Sequence, residues 1–137
     1  MMSDKHFQLD IVTPAKTVYT GVVNSVTAPG VIGNYQVLFN HAPLLSAIGI
    51  GEIKITDADG AKHRFATSGG FVEVKSNKVI VLAESAESEE EINKDRAEKS
   101  KKRAADRLAQ KQSDIDIERA RIALLRSLNR LKIASNK

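Results

Sequence analysis

The chain of 137 residues contains no cysteine and no tryptophan, and only six of its residues are aromatic. Without cysteine there is no disulfide framework and no thiolate metal site, which fits a reducing compartment. No apolar run approaches the roughly 20 residues that a membrane-spanning helix needs, and the N-terminus enters a strand-like pattern at once. The expectation is a soluble chain without a signal or transit segment. Catalytic machinery is missing as well. His6, His41 and His63 lie far apart without metal-ligand spacing, which leaves them structural roles. Gly30-Val31-Ile32-Gly33 lacks the Gly-Lys-Ser/Thr ending of a phosphate loop, and Ser68-Gly69-Gly70 reads as a turn leading into a strand. No nucleophile, base and orienting group can be assembled, so the chain is read as non-catalytic.

Charge is present but uneven. The formal net charge is +4, yet residues 1–87 hold seven Lys or Arg against eight Asp or Glu, while residues 88–137 hold fourteen against nine. All the excess base is C-terminal. A basic helical segment suits a solvated face, nucleic acid, an anionic surface, an acidic protein partner or a bound phosphate compound.

The stretch from Val79 to Ala97 divides two structural periods. Before it, Phe7, Leu9 and Ile11 alternate with polar residues as a half-buried strand, ended by Pro14. Val18, Val22 and Val26 continue in short pieces broken at Gly21 and at Pro29-Gly30. Glu52 to Thr56 and Arg64 to Thr67 flank Asp57-Ala58-Asp59-Gly60 as a hairpin, and Phe71 to Lys75 and Lys78 to Leu82 flank Ser76-Asn77 as another. Val79 to Ala83 makes a closing strand. About nine short strands with frequent turns and no crossover helix indicate an antiparallel sandwich or barrel. One segment departs from this pattern: from Asn34 through His41, Pro43 and Leu45, apolar residues crowd a loop, as loops that meet a partner do.

Past the junction, Ser88 with Glu91 reads as a capping box that opens a helix, with Glu89 to Glu91 on its positive end. From Ser88 to Gln112 there is no proline or glycine, and Ala97, Ala104, Ala105 and Leu108 recur at helical spacing. An alanine stripe must lie close to its neighbour and gains little from burial. Asp95 with Lys99 and Glu98 with Lys102 are spaced for surface pairs. Ser113 with Asp116 signals a second helix, on which Ile117, Ala120, Leu124, Leu128 and Leu131 form a stripe while Ile122 and Ile133 lie on the other side. A helix apolar on two sides suits an element that changes partners. Arg96 and Arg103 share a face of the first helix, and Arg119, Arg126 and Arg130 a face of the second. Guanidinium groups converging in a hairpin would repel unless an anion sat among them, and arginine is well suited to phosphate. The fold class expected is α+β: a β-sandwich over residues 1–87 and a helical hairpin over 88–137.

Gly33, Val37-Leu38, His41-Ala42-Pro43-Leu44-Leu45, Gly51-Glu52-Ile53, Ser68-Gly69-Gly70-Phe71-Val72-Glu73-Val74 and Val81 to Glu87 resemble, in order and spacing, the epsilon subunit of F-type ATP synthases. The resemblance covers nearly the whole chain. It departs from the family at Phe39-Asn40, where Pro-Gly is usual, and near Asn34, where a carboxylate is often carried. It implies a central-stalk subunit whose sandwich binds the gamma subunit and rests on the c-ring, with Asn34, His41 and Pro43 in a partner-contact loop. It also implies a hairpin that inhibits ATP hydrolysis by reaching the alpha and beta subunits. In members that bind ATP, the site includes a motif of Ile or Leu, Asp, two variable residues, Arg and Ala. The motif stands here as Ile92-Asn93-Lys94-Asp95-Arg96-Ala97, with Glu87, Arg103, Arg126 and Arg130 on the other ligand positions. ATP is then a regulatory ligand rather than a required cofactor. The implied location is the cytoplasmic face of a bacterial plasma membrane, reached only through the complex.

A nucleic-acid-binding adaptor is the alternative from another class. Its binding would weaken steeply with salt, but the helices lack aromatic stacking residues and acids interrupt their basic faces.

Overall fold

A computed structural model describes residues 5–110 and 114–135, without the side chain of Ile115. The chain divides into two compact units, Met1–Ser88 and Glu89–Lys137.

The first unit holds nine strands: β1 Phe7–Val12, β2 Thr17–Pro29, β3 Asn34–Val37, β4 Leu44–Ile48, β5 Gly51–Asp57, β6 Lys62–Thr67, β7 Gly70–Lys75, β8 Lys78–Ala83 and β9 Ala86–Ser88. Strict alternation places Phe7, Leu9 and Ile11 of β1, Val72 and Val74 of β7, and Val79, Val81 and Ala83 of β8 inward. With Val23, Val26, Val37, Ile53, Ile55 and Phe65 they form one core, each large side chain contributing about 1.5–3 kcal/mol on burial. The hydrogen-bonded path runs β4-β7-β8-β1-β2-β5-β6-β9, and β3 also pairs with β2.

β2 is where this path turns over on itself to make the sandwich. It pairs with β1 through Thr17 to Val23, then with β5 and β3 through Val23 to Pro29, and its register to β5 shifts between Val23 and Ser25. The sequence reading of short pieces broken at Gly21 is therefore corrected: Gly21 lies opposite Leu9 within one continuous strand of 13 residues. β-branched residues on both sides outweigh one glycine. The expectation of a purely antiparallel sheet also needs correction, since β1 and β8 pair in parallel, Leu9 opposite Val79 and Ile11 opposite Val81. The expected loop from Asn34 to Leu45 shrinks to Leu38–Pro43, because Asn34 to Val37 and Leu44 onward are strands.

Two turns carry special backbone. Ser76 and Asn77, both left-handed at φ 52° and 58°, make the two-residue turn that joins β7 to β8. Gly70 opens β7 at φ 140°, where a Cβ would stand 2.0 Å from the carbonyl oxygen of Leu82, so only glycine fits.

Ser88 does not open a helix. It ends β9, paired with Phe65, and Glu89–Glu91 form a single 3₁₀ turn. The carboxylates that looked like a capping box belong to this turn, and α1 begins later, at Lys94–Gln110, with α2 at Asp114–Ala134. The expected signal at Ser113 lies outside the described residues. Separated by three residues, the helices pack against each other and must run in opposite senses to do so. Ala97 and Ala104 are buried on α1, and Ala120, Ser127 and Ala134 on α2. Each set recurs every seven residues, so small side chains line one face of each helix. Ser127 satisfies its buried hydroxyl by donating to the Ala123 carbonyl at 3.0 Å. Leu128, expected in the buried stripe, is 42% exposed, Ala105 is exposed, and Ile133 is fully buried. Neither Asp95 with Lys99 nor Glu98 with Lys102 forms an ion pair, whereas Glu118 and Arg121, three apart on α2, do.

Candidate nucleotide and partner sites

Asn93 stands immediately before α1 as its N-cap. Its Oδ1 accepts the Arg96 N–H at 3.1 Å, and its carbonyl accepts the Ala97 N–H at 3.0 Å. Ile92 before the cap and Ala97, the fourth helical residue, are both buried, the positions of a hydrophobic staple. The stretch Ile92-Asn93-Lys94-Asp95-Arg96-Ala97 is thus a helix-start signal in its own right: apolar residue, cap, first turn, apolar residue. The sequence reading treated these residues as a ligand set and placed the cap at Ser88. An Asn three residues before the N–H that it binds, with flanking apolar positions, was the signal for the later start.

The cap engages one acceptor site of the Asn93 oxygen and leaves its amide NH₂ unused by the cap. The Arg96 and Arg103 side chains are exposed on α1, and Arg103 donates from Nη2 to Ser100 Oγ at 3.1 Å. Arg126 and Arg130 on α2 are half-buried, Arg126 next to buried Ser127. Arg119 is exposed. Glu87 belongs to the first unit, on β9 opposite Ala66. Among the described residues no cluster of His, Asp and Glu could hold a metal ion.

On the sandwich, the loop expected to contact a partner is less uniform than its sequence suggests. Asn34 is exposed but sits in β3 opposite Pro29. Pro43 is exposed, and His41 is half-buried with its Nδ1 2.7 Å from the Ala42 carbonyl oxygen. Between them and β3, Leu38 and Phe39 are 52% and 43% exposed. Sequence reasoning missed a second apolar surface. Phe71 and Leu82 are cross-strand neighbours on the outer face of β7 and β8, each 54% exposed, with Ala47 opposite Phe71 and Val12 opposite Leu82. They border an open hollow of about 410 Å³ that Pro14, Gly70 and Glu84 also line. The apolar character of Phe71 and Leu82 was visible in the sequence, but strand pairing is what makes them adjacent.

The polar side chains serve the strands. Asp10 accepts from Thr20 Oγ1 at 2.6 Å and Gln8 Nε2 at 3.1 Å, with Lys78 Nζ 3.8 Å away. The hydrogen bond from Thr20 is the main reason that its carboxyl titrates below the usual range. Asp57 binds His63 at 2.8 Å through Oδ2 and accepts from the backbone N–H groups of Asp59 and Ala61 through Oδ1, both at 2.9 Å. It pins the turn between β5 and β6, and the His63 bond foremost holds its pKa down. Arg64 reaches Glu52 at 2.5 Å across the same hairpin.

Two family descriptions match the chain end to end: residues 6–89 match the β-sandwich domain of the ATP synthase delta/epsilon chain, and residues 90–135 its long α-helix domain. The ATP synthase epsilon chain of Nitratidesulfovibrio vulgaris is 48% identical over 133 residues, which cover 97% of this chain and 98% of that one. The epsilon chain of Desulforamulus reducens is 43% identical over 127 residues, 93% and 96% of the two chains. Among solved structures, a chain of the Euglena gracilis mitochondrial ATP synthase, determined as OSCP, F1 and c-ring, aligns with a TM-score of 0.83. It is 20% identical, over 96% of this chain and 82% of its own. A chain of the Tetrahymena thermophila mitochondrial ATP synthase central stalk and c-ring aligns at 0.68 with 17% identity, over 93% and 95%. These two likenesses are of fold.

Proposed function

The chain belongs to the ATP synthase delta/epsilon family as a non-catalytic epsilon subunit, and from that premise we propose that its two units divide coupling from control. The sandwich binds the gamma subunit, rests on the c-ring and transmits rotation driven by proton flow. It holds the chain peripherally at the cytoplasmic face of a bacterial membrane. The helical hairpin exchanges between a state retained by the sandwich and one extended along gamma toward the alpha and beta subunits, where it restrains ATP hydrolysis.

The observation that carries this reading is the pairing of a self-sufficient sandwich core with a hairpin whose buried positions are mostly alanine and serine, Ile92 and Ile133 being the large ones. Small side chains bury little apolar area, so parting α1 from α2 costs little. The basic α1 surface suits an acidic partner. The test is removal of residues 89–137. The remaining sandwich should fold and bind gamma, while the reassembled enzyme should lose inhibition of ATP hydrolysis; inhibition equal to that by the intact chain would refute the control role.

ATP is the proposed regulatory ligand, gripped by Arg96, Arg103, Arg126 and Arg130 with Glu87, and it favours whichever state of the hairpin binds it more tightly. The Asn93 cap supports a competing reading in which the motif only starts α1. Calorimetric titration of the isolated chain with ATP, and GTP as control, separates the two. Saturable ATP binding that weakens in Arg103→Ala establishes the site, and heats of dilution alone leave the helix-start reading.

A further inference from the structure

We infer that Asn77 is the positioning residue of the apolar loop Leu38–Pro43, setting from another hairpin the shape in which the loop meets its partner. The inference rests on the expectation, implied by the family resemblance, that this loop is where the sandwich meets a neighbour in the ATP synthase complex.

Asn77 occupies the second position of the two-residue turn between β7 and β8, at φ 58°. That position favours glycine, which adopts a left-handed backbone without strain. An asparagine there is therefore used for its side chain, and its side chain does nothing for its own turn. Oδ1 accepts the Asn40 N–H at 2.8 Å, 37 residues away, and Nδ2 donates to the His6 carbonyl at 2.8 Å, 71 residues away. One planar amide ties the chain before β1, the tip of the β7–β8 hairpin and the loop between β3 and β4.

Within the loop, the effect falls on a single peptide. The Asn40 N–H belongs to the peptide unit that follows Phe39, and Asn40 is itself left-handed at φ 59°. Fixing that plane fixes where the exposed Phe39 leaves the loop. What else holds Leu38–Pro43 is internal: Phe39 and Asn40 form a turn, and the His41 ring donates to the Ala42 carbonyl. Val37 is anchored in the core, and Leu44 is half-buried at the start of β4, so among the described residues the Asn77 bond is what ties the turn between them to another segment. Loops ordered before binding lose less entropy when they dock.

Two substitutions separate positioning from stability. Asn77→Gly keeps the backbone and loses both bonds; Asn77→Asp keeps an acceptor for Asn40 and loses only the donor to His6. Amide hydrogen exchange of the full-length chain should show Asn40 exchanging about five- to tenfold faster in Asn77→Gly but protected in Asn77→Asp. Both variants should melt lower than the native chain. Reassociation with ATP synthase depleted of this subunit should follow the loop rather than the melting temperature: several-fold weaker for Asn77→Gly and near native for Asn77→Asp.

Equal losses in the two variants, or native affinity in Asn77→Gly, would overturn the inference. The double variant Leu38→Ser, Phe39→Ser tests the reading beneath it. If that variant reassociates as the native chain does, the loop is not a contact and both ideas fall. If it weakens while Asn77→Gly does not, only the positioning role is lost.

Discussion

Asn93 shows how one side chain can answer to two descriptions. As an N-cap it saves the Arg96 N–H from going unpaired, and Asn93→Ala should destabilise the hairpin by about 1 kcal/mol. Asn93→Asp keeps the cap and adds a charge at the positive end of α1, which should stabilise by about 0.5 kcal/mol. Helical circular dichroism in urea checks both. If Asp also tightens ATP binding, that gain must be corrected for the cap. Asp57 provides a titration at the same scale. Its pKa lies below the ordinary 3.8, so its contribution to stability is complete above that value and is lost as pH falls through the lower folded value. Asp57→Asn should therefore flatten the loss of stability below about pH 4, measured as the urea midpoint against pH.

Among the elements, the helix pair is the one whose behaviour follows from residue size. With Ala97 and Ala104 on one helix and Ala120, Ser127 and Ala134 on the other buried at seven-residue intervals, there is no room for a longer side chain. Ala104→Leu should destabilise the hairpin by about 1–3 kcal/mol through overpacking, whereas Ala105→Leu, on the exposed side, should be nearly neutral. The sandwich should unfold as before in both, read from amide exchange of β1 and β8. In the β7–β8 hairpin, Gly70→Ala should be more damaging, since its Cβ would meet the Leu82 carbonyl oxygen. A loss of about 1–3 kcal/mol is expected from the φ strain alone.

For the whole molecule, the division into two units was legible because the hydrophobic period changes from two to 3.6 residues near Ser88, and period is a local property of the chain. Strand alternation likewise marked Phe7, Leu9 and Ile11 as core before any fold was known. The arginines of the candidate ATP site could be named only by resemblance, since composition does not tell a phosphate grip from a solvated basic face. Some features depended on residues distant in sequence and so were decided by tertiary structure. Ser88 reads as a cap in isolation, but Phe65 draws it into a sheet, and a ladder with a paired strand outweighs a local capping signal. Gly21 reads as a break until β1 and the apolar core hold it in a continuous strand. Asn77 reads as a turn residue, and only folding brings His6 and Asn40 within reach of its amide. The sequence by itself determined the two structural periods, the inward face of strands such as β1 and the family, because these follow from short-range period and ordered motifs. Tertiary structure alone decided which strand pairs in parallel, that Ser88 joins a sheet and which side chain ties the apolar loop, because hydrogen bonds between remote segments exist only once the core has closed.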